Sequence, residues 1–123
     1  MPGFTPLVGK NDCLEALFNA QDLRIGLFTN NSGLGDASIL TDIDEPLAGN
    51  YASKVITAGS WVVADGVVSL PDQVFTPTVT PFEIIYGYYI SKLTGELRHV
   101  EVDANAAIVP LGQGYIVRFS SSL

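Results

Sequence analysis

The sequence lacks most of the side chains from which catalytic and metal sites are built. Its 123 residues include one cysteine, Cys13, and one histidine, His99. A zinc site takes three or four protein ligands, mostly cysteine and histidine, and an internal disulfide takes two cysteines, so the chain can supply neither. A Ser–His–Asp triad would need His99 as its base, yet His99 lies in a strand-like run with no G-x-S-x-G motif beside it. We therefore expect no cofactor and no catalytic residues, and interpret His99 as a strand residue and Cys13 as a small apolar one.

Positive charge is also scarce. Six Lys and Arg residues face thirteen Asp and Glu residues, which gives a formal net charge of −7. Nucleic-acid binding requires clustered basic residues, and so does adhesion to anionic lipid. Here no two of the basic residues are adjacent. The sequence predicts neither a nucleic-acid partner nor a membrane partner.

Charge of either sign is low, and long apolar runs are missing. Charged residues make up 15% of the chain, compared with about 25% in a typical soluble domain. A surface so low in charge favours a subunit of an assembly over a free monomer. No apolar run approaches the ~20 residues that span a membrane, and the start "MPGFTPLVGKND" has neither the basic nor the apolar region of a secretory signal. We expect a soluble protein that acts in the cytoplasm where it is made, or in a particle assembled there.

Strand patterns dominate what is present. Seven or eight short alternating or β-branched runs are separated by turn signals, and the dipeptides Asp65-Gly66 and Thr94-Gly95 indicate hairpins. Residues 11–19 have helical spacing, with Asn11 or Asp12 as the expected cap. The pattern predicts an all-β fold: an antiparallel β-sandwich or barrel with one short N-terminal helix.

The same alternation predicts the core and the domain limits. We assign residues 1–10 to an N-terminal arm and residues 11–123 to a single β-sandwich domain. The run "FEIIYGYYISK" is apolar on both faces, as is typical of a central strand. Its second face carries Ile85 and Tyr89, whose cover comes either from a loop or from another subunit; both alternatives are open. The apolar residues expected to be mostly buried are Leu23, Ile25, Leu27, Val55, Trp61, Val63, Tyr86 and Tyr88.

A long acidic loop follows the first strand, in the stretch "LFTNNSGLGDASILTDIDE" of residues 27–45. Asp42 and Asp44 stand two apart, as calcium ligands of an EF-hand do, but the glycine that such a loop requires is absent. A calcium site of another kind stays open as an alternative. The stronger interpretation is a solvated loop whose Asn, Ser, Gly and Asp residues form turns. Loops of this length commonly contact a partner, which makes Asn30 and Asn31 candidate interface residues.

Other polar groups do not form a recognisable catalytic set. Glu96, Glu101 and Asp103 lie on or beside one strand, and paired carboxylates can hydrolyse glycosides. Nothing in the sequence places these three in a shared, desolvated pocket. The motifs "GLGD" and "GQG" lack the Gly-Lys-Ser/Thr ending of a phosphate-binding loop. We therefore predict that the protein is not an enzyme.

An ordered set of short motifs is similar to a known group of proteins. The motifs are "LRIGLFTNN", "GNYASKVITAGSW", "VFTPT" and "IIYGYYISKLTGEL", followed by a Gly-Gln-Gly step into a last strand. In their order and spacing, over about residues 11 to 120, they resemble a group of small structural proteins of tailed bacteriophages. Members of that group are described as capsid decoration (cement) proteins or as tail-associated proteins.

The resemblance implies a β-sandwich or barrel, often trimeric, without catalysis or cofactor. We favour capsid decoration, because docking on a capsid needs adhesive, low-charge surfaces and no nucleic-acid contact. The chain also has neither the repeats nor the coiled-coil shaft of a tail-fibre module. The expected partner is the major capsid protein, and the expected location is the capsid surface of a virion made in the host cytoplasm. A tail- or baseplate-associated adhesion module, or a cellular binding module of the same fold, is the alternative.

Contact with such a partner is expected from low-charge segments. The N-terminal arm contains prolines and glycines that discourage helix and sheet pairing and leave extended backbone free for docking. The loop of residues 30–50 and the second face of the "FEIIYGYYISK" strand are the other candidates. The candidate interface residues are Pro2, Phe4, Pro6, Asn30, Asn31, Ile85 and Tyr89.

Overall fold

The computed structural model describes residues 6–31, 33–35 and 37–122. Within these residues the chain forms two antiparallel sheets and one short helix at the N-terminal end, so the predicted all-β class is confirmed. The helix α1 spans Leu7–Leu14 and continues as a π-helical turn over Glu15–Asn19. The strands are β1 (Leu23–Phe28), β2 (Lys54–Ile56), β3 (Val62–Ala64), β4 (Val67–Phe75), β5 (Ile85–Lys92), β6 (Leu97–Ala107) and β7 (Tyr115–Ser122).

The two sheets pack against each other over one apolar core. The four-stranded sheet has the order β2-β1-β5-β6, and the three-stranded sheet has the order β3-β4-β7. Ile90 from the first sheet and Val68 and Phe119 from the second belong to the same buried cluster. Leu14 and Phe18, from α1 and the turn after it, join this cluster. The helical segment therefore completes the core that the two sheets share.

Both predicted hairpin turns are present. Asp65 and Gly66 connect β3 to β4 with φ values of 55° and 74°, the left-handed pair that a two-residue type I′ turn requires. Between β5 and β6, Gly95 has φ 107° and its N–H donates to the Lys92 carbonyl at 3.0 Å. Local turn chemistry therefore sets both connections.

The helix begins earlier than its spacing suggests. Pro6 occupies the cap position, its carbonyl accepts the Lys10 N–H at 3.0 Å, and no side chain caps this end. Asn11, one of the two expected caps, lies inside the helix, and its Oδ1 accepts the Gly66 N–H at 2.9 Å. The expected arm boundary at residue 10 is therefore corrected, because residues 7–10 are helical and α1 contacts β3 and β4. Pro6 is exposed, whereas Pro2 and Phe4 lie outside the described residues.

Most of the predicted core is confirmed, with one clear error. Leu23, Ile25, Leu27, Trp61 and Tyr88 are buried, and Val63 and Tyr86 are half-buried. Val55 is 51% exposed, so its predicted burial is wrong. The cause is the register of β2, in which Ile56 pairs with the core residue Leu23. Val55, the preceding residue, therefore points to the opposite face.

Candidate interaction surfaces

Glycines and aromatic rings interlock on the outer face of the four-stranded sheet. In the pairing of β1 with β5, Gly26 lies opposite Tyr89 and Phe28 lies opposite Gly87. A Cβ atom on Gly26 would lie 2.6 Å from the Tyr89 ring, and one on Gly87 would lie 2.6 Å from the Phe28 ring. Each ring therefore fills the space above the glycine opposite, and both rings are fully buried.

The loop between β1 and β2 covers the centre of this face, and the Glu45 carboxylate helps to hold it there. Glu45 Oε1 accepts hydrogen bonds from the hydroxyl groups of Tyr51 at 2.7 Å and Tyr89 at 2.6 Å. The Tyr51 hydroxyl oxygen in turn accepts the backbone N–H of Leu27 at 2.9 Å. Glu45 and Tyr51 belong to the loop, whereas Leu27 and Tyr89 belong to the sheet. Two of these hydrogen bonds therefore tie the loop to the sheet, and the third, from Tyr51 to Glu45, links the two loop residues that make them.

A second carboxylate anchors the same loop from the segment before β5. Glu83 accepts the backbone N–H of Leu47 at 2.9 Å and that of Ala48 at 3.0 Å. The hydrogen bond from Leu47 is the main cause that lowers the pKa of Glu83 below its usual value. The carboxylate therefore remains charged where it bridges two backbone donors.

The cover of the second face of β5 thus comes from a loop of the same chain. Tyr89 is 0% exposed and lies beneath Glu45, and Ile85 is equally inaccessible. Ile85 belongs to the core between the sheets, since the pairing of β5 with β6 shifts in register between Ile85 and Gly87. Neither side chain can reach a second subunit, so the expectation that they form an interface is corrected.

The Glu45 cluster predicts a loss of stability at alkaline pH. Burial raises the pKa of Tyr51 and Tyr89 above the usual 10.0, and the hydrogen bonds to Glu45 raise it further. Both phenols are neutral when folded but ionise near pH ~10 when unfolded, so the stability they add is complete below pH ~10 and is lost above it. We expect the melting temperature to fall between pH ~10 and pH ~12, and to fall less steeply in a Tyr51→Phe/Tyr89→Phe variant. Parallel declines for the two proteins would contradict this assignment.

The acidic part of the loop is engaged in its own hydrogen bonds. The Asn30 amide donates to the Asp42 carbonyl at 2.8 Å, and Asn30 Oδ1 accepts the Asp44 N–H at 2.7 Å. Asp42 Oδ2 accepts the Ile39 N–H at 2.9 Å. Asn30 therefore fastens the two arms of the loop together, while Asn31 is exposed. Of the two predicted interface residues here, Asn31 is exposed, whereas Asn30 is half-buried and its side chain is engaged within the loop.

The outer face of the three-stranded sheet, called here the open face, has no covering loop among the described residues. Val62 is 56% exposed, and the other large apolar side chains on this face are also exposed: Val67, Val74 and Ile116. Serines fill the positions between them, since Ser69 pairs with Val62 and Ser120. The charged residues of the three strands are Asp72 and Arg118, which form an ion pair at 3.1 Å. The open face is therefore apolar, is built largely of small side chains, and carries little net charge.

A groove of about 300 Å³ opens between β6 and β7, called here the β6–β7 groove. The Tyr115 hydroxyl donates to Asp103 Oδ2 at 2.8 Å across it, and Glu101 and Tyr88 also line it. The sequence placed Glu101 and Asp103 on one strand but did not indicate this shared groove. The groove depends on the order of the strands, which brings the last strand of each sheet to the same side of the molecule.

Comparison with protein-family models, with curated proteins and with solved structures found no match to this chain. In residues 6–31, 33–35 and 37–122 no helix has the length and apolar character needed to cross a membrane. The same residues contain no group of three or more His, Cys, Asp or Glu side chains placed to hold a metal ion. The function is therefore inferred from the motifs and from the surfaces described above.

Proposed function

We propose that this chain is a non-enzymatic structural protein of a bacteriophage virion, a capsid decoration (cement) protein that binds the major capsid protein as a homotrimer. The order of its sequence motifs supports the proposal through their resemblance to such proteins. The fold is compatible with it, because two packed antiparallel sheets are what the resemblance implies.

The motifs that carry the resemblance lie at the centre of the fold. "LRIGLFTNN" contains β1, and "IIYGYYISKLTGEL" contains β5 with its hairpin turn, and these strands are neighbours in the four-stranded sheet. Gly26 and Phe28 of the first motif interlock with Tyr89 and Gly87 of the second. The motifs therefore support a fold shared with the phage proteins that they resemble. A role in assembly also requires a surface through which subunits make contact.

The open face is the observation that carries the proposal. A chain with a net charge of −7 repels its own copies, so self-association favours a region where acidic groups do not meet. On the open face the single carboxylate, Asp72, is paired with Arg118, and the exposed valines and Ile116 provide apolar area to bury. We assign this face, in place of Ile85 and Tyr89, to the contact between subunits of the trimer.

The abundance of the protein in purified virions tests the proposed function. Decoration of a head predicts hundreds of copies per particle by quantitative mass spectrometry. A few copies per particle would instead favour a tail or baseplate role, and absence from virions would leave a cellular binding module. Either of the last two results would overturn the capsid assignment.

A charge placed on the open face should dissociate the trimer. We expect the protein to scatter light with about three times the chain mass of 13.1 kDa, and Val62→Lys to scatter as a single chain, because three added charges would meet at the subunit contact. Val62 is exposed, so the substitution should leave the folded chain intact, as a circular dichroism spectrum would verify. Val55→Lys is the matched control, since Val55 is an equally exposed strand valine on the other sheet.

The wild type and the two variants separate the possible outcomes. A wild-type monomer at micromolar concentration would defeat the preformed trimer. A Val62→Lys variant that remains trimeric would move the subunit contact away from the open face. Dissociation of Val55→Lys alone would place the contact on the four-stranded sheet.

A further inference from the structure

The β6–β7 groove lies where the two sheets end side by side. β6 is the last strand of the four-stranded sheet, and β7 is the last strand of the three-stranded sheet. Within the described chain no further strand pairs with either of them on that side. The groove is lined by residues of both sheets, among them Tyr88, Glu101, Asp103, Tyr115, Ile116 and Arg118. Two tyrosines and two carboxylates therefore converge at an opening that reaches solvent.

One largely buried tyrosine directs an unpaired hydroxyl into the groove. Tyr88 is 7% exposed and lines the groove, and in the part of the chain that the structure describes its hydroxyl has no hydrogen bond. Burial raises the pKa of Tyr88 to about 12, and the charge of Glu101, its partner across the β5–β6 pair, adds to this. The hydroxyl of a largely buried tyrosine usually has a hydrogen-bond partner. The Tyr88 hydroxyl is therefore placed to bond a polar group that enters the groove.

The groove also carries negative charge that nearby cations do not neutralise. The Glu101 side chain is 56% exposed, and His99 Nε2, 3.7 Å from it, is charged only when protonated. Asp103 accepts the Tyr115 hydroxyl and the Asn105 N–H, which are neutral donors. Arg118 lines the groove but is paired with Asp72 at 3.1 Å. The chemistry that matches this set is a cation with several hydrogen-bond donors.

We propose that the β6–β7 groove binds an arginine side chain of a partner protein. Glu101 and Asp103 stand two residues apart on one strand, so they face the same side with Cα atoms about 6.5 Å apart. A guanidinium group presents five donors in a planar fork, which can reach a carboxylate and the Tyr88 hydroxyl together. Its plane also stacks on aromatic rings, and Tyr115 supplies one. A lysine ammonium is more compact and more strongly hydrated, and it would leave part of this set unpaired.

This inference does not depend on the capsid assignment, and its test uses the isolated protein. The probe is the peptide acetyl-Gly-Arg-Gly-amide, titrated into ¹⁵N-labelled protein and followed by amide chemical shifts. We expect saturable shifts confined to the groove-lining parts of β5, β6 and β7, with a dissociation constant on the order of millimolar. The same peptide with citrulline in place of arginine has nearly the same shape without the charge, and it should produce no saturable shift.

Two variants test the carboxylates directly. Glu101→Gln and Asp103→Asn remove the charges and keep the side-chain shapes, and each should weaken binding by about tenfold. Glu15→Gln removes one charge from an exposed position outside the groove, and it should bind like the wild type. The spectrum of each free variant reports whether it is folded.

Three results would overturn the proposal. Equal binding of the citrulline peptide would show that the charge of the peptide is not recognised. If Glu15→Gln weakened binding as much as the groove variants do, the loss would reflect the net charge of the protein and not the groove carboxylates. Shifts in the groove on titration with maltose, and none with the arginine peptide, would reassign the site to a neutral glycan.

Discussion

Replacing Gly87 with alanine should destabilise the protein by about 3 kcal/mol or more, at the upper end of the cost of overpacking a core. The added Cβ would overlap the carbonyl oxygen of Glu101 on β6 and would lie 2.6 Å from the Phe28 ring on β1. The carbonyl belongs to the backbone of a paired strand, so it can move only if β5 and β6 separate where Gly87 pairs with Val102. The midpoint of urea unfolding, compared with that of the wild type, measures the loss.

Gly35→Ala is the control for this substitution. A Cβ at Gly35 would meet no described atom within 4 Å, and the backbone there is not left-handed. Removing a glycine from such a site restricts the unfolded chain, so we expect no loss and a gain of up to about 1 kcal/mol. Equal midpoints for Gly87→Ala and the wild type would show that Phe28 does not pack over Gly87.

Truncation of Trp61 to alanine should cost about 3 to 5 kcal/mol, the range found for large aromatic side chains in cores. Trp61 is 3% exposed, with ring centroids 5.2 Å from Phe18 and 5.6 Å from Phe119. Its indole therefore joins the helical segment to β7. Asn19 fixes the backbone of this residue, since Asn19 Oδ1 accepts the Trp61 N–H and its amide donates to the Trp61 carbonyl. Calorimetric or urea unfolding measures the change, and a loss below about 1 kcal/mol would contradict the core position.

Trp61→Phe separates packing from polarity at the same site. In the described residues the indole Nε1 is buried and has no hydrogen-bond partner, so phenylalanine removes an unsatisfied donor while it keeps an aromatic ring. We expect a loss below about 1.5 kcal/mol. A loss as large as that of Trp61→Ala would mean that the full indole outline is required.

Features that depend on a few neighbouring residues could be predicted from the sequence. The Asp65-Gly66 turn is an example, because two consecutive left-handed residues specify the hairpin locally. The alternation in β1 placed Leu23 and Ile25 correctly in the core for the same reason. In contrast, the first residue of α1 could not be predicted from the sequence. Asn11 does not cap the helix, because its side chain accepts a hydrogen bond from Gly66, 55 residues away.

The packing on the outer face of the four-stranded sheet could be recognised from the sequence only if the strand register were known. Gly26 and Phe28 have the same spacing as Gly87 and Tyr89, and antiparallel pairing places each ring over the opposite glycine. Glu45, which accepts the hydrogen bond of the Tyr89 hydroxyl, lies 44 residues before it in the chain. No local sequence pattern indicates that these two residues are in contact. The β6–β7 groove was equally hidden, because its two walls belong to different sheets.

The two outer faces of the sandwich are unequal, and this inequality limits how copies can accumulate. The centre of one face is covered by the chain's own loop through Glu45, with Val55 and Val102 exposed at its margins, whereas the other face has no such cover among the described residues and presents exposed valines across its strands. A molecule that adheres through a single face can close into a small ring or lie as one layer on a support. Open filaments require a second adhesive surface on each molecule, and the covering loop reduces the apolar area that the four-stranded sheet could offer for that contact. By holding the covering loop in place, Glu45 would then limit the growth of an assembly of copies, in addition to its role within the fold.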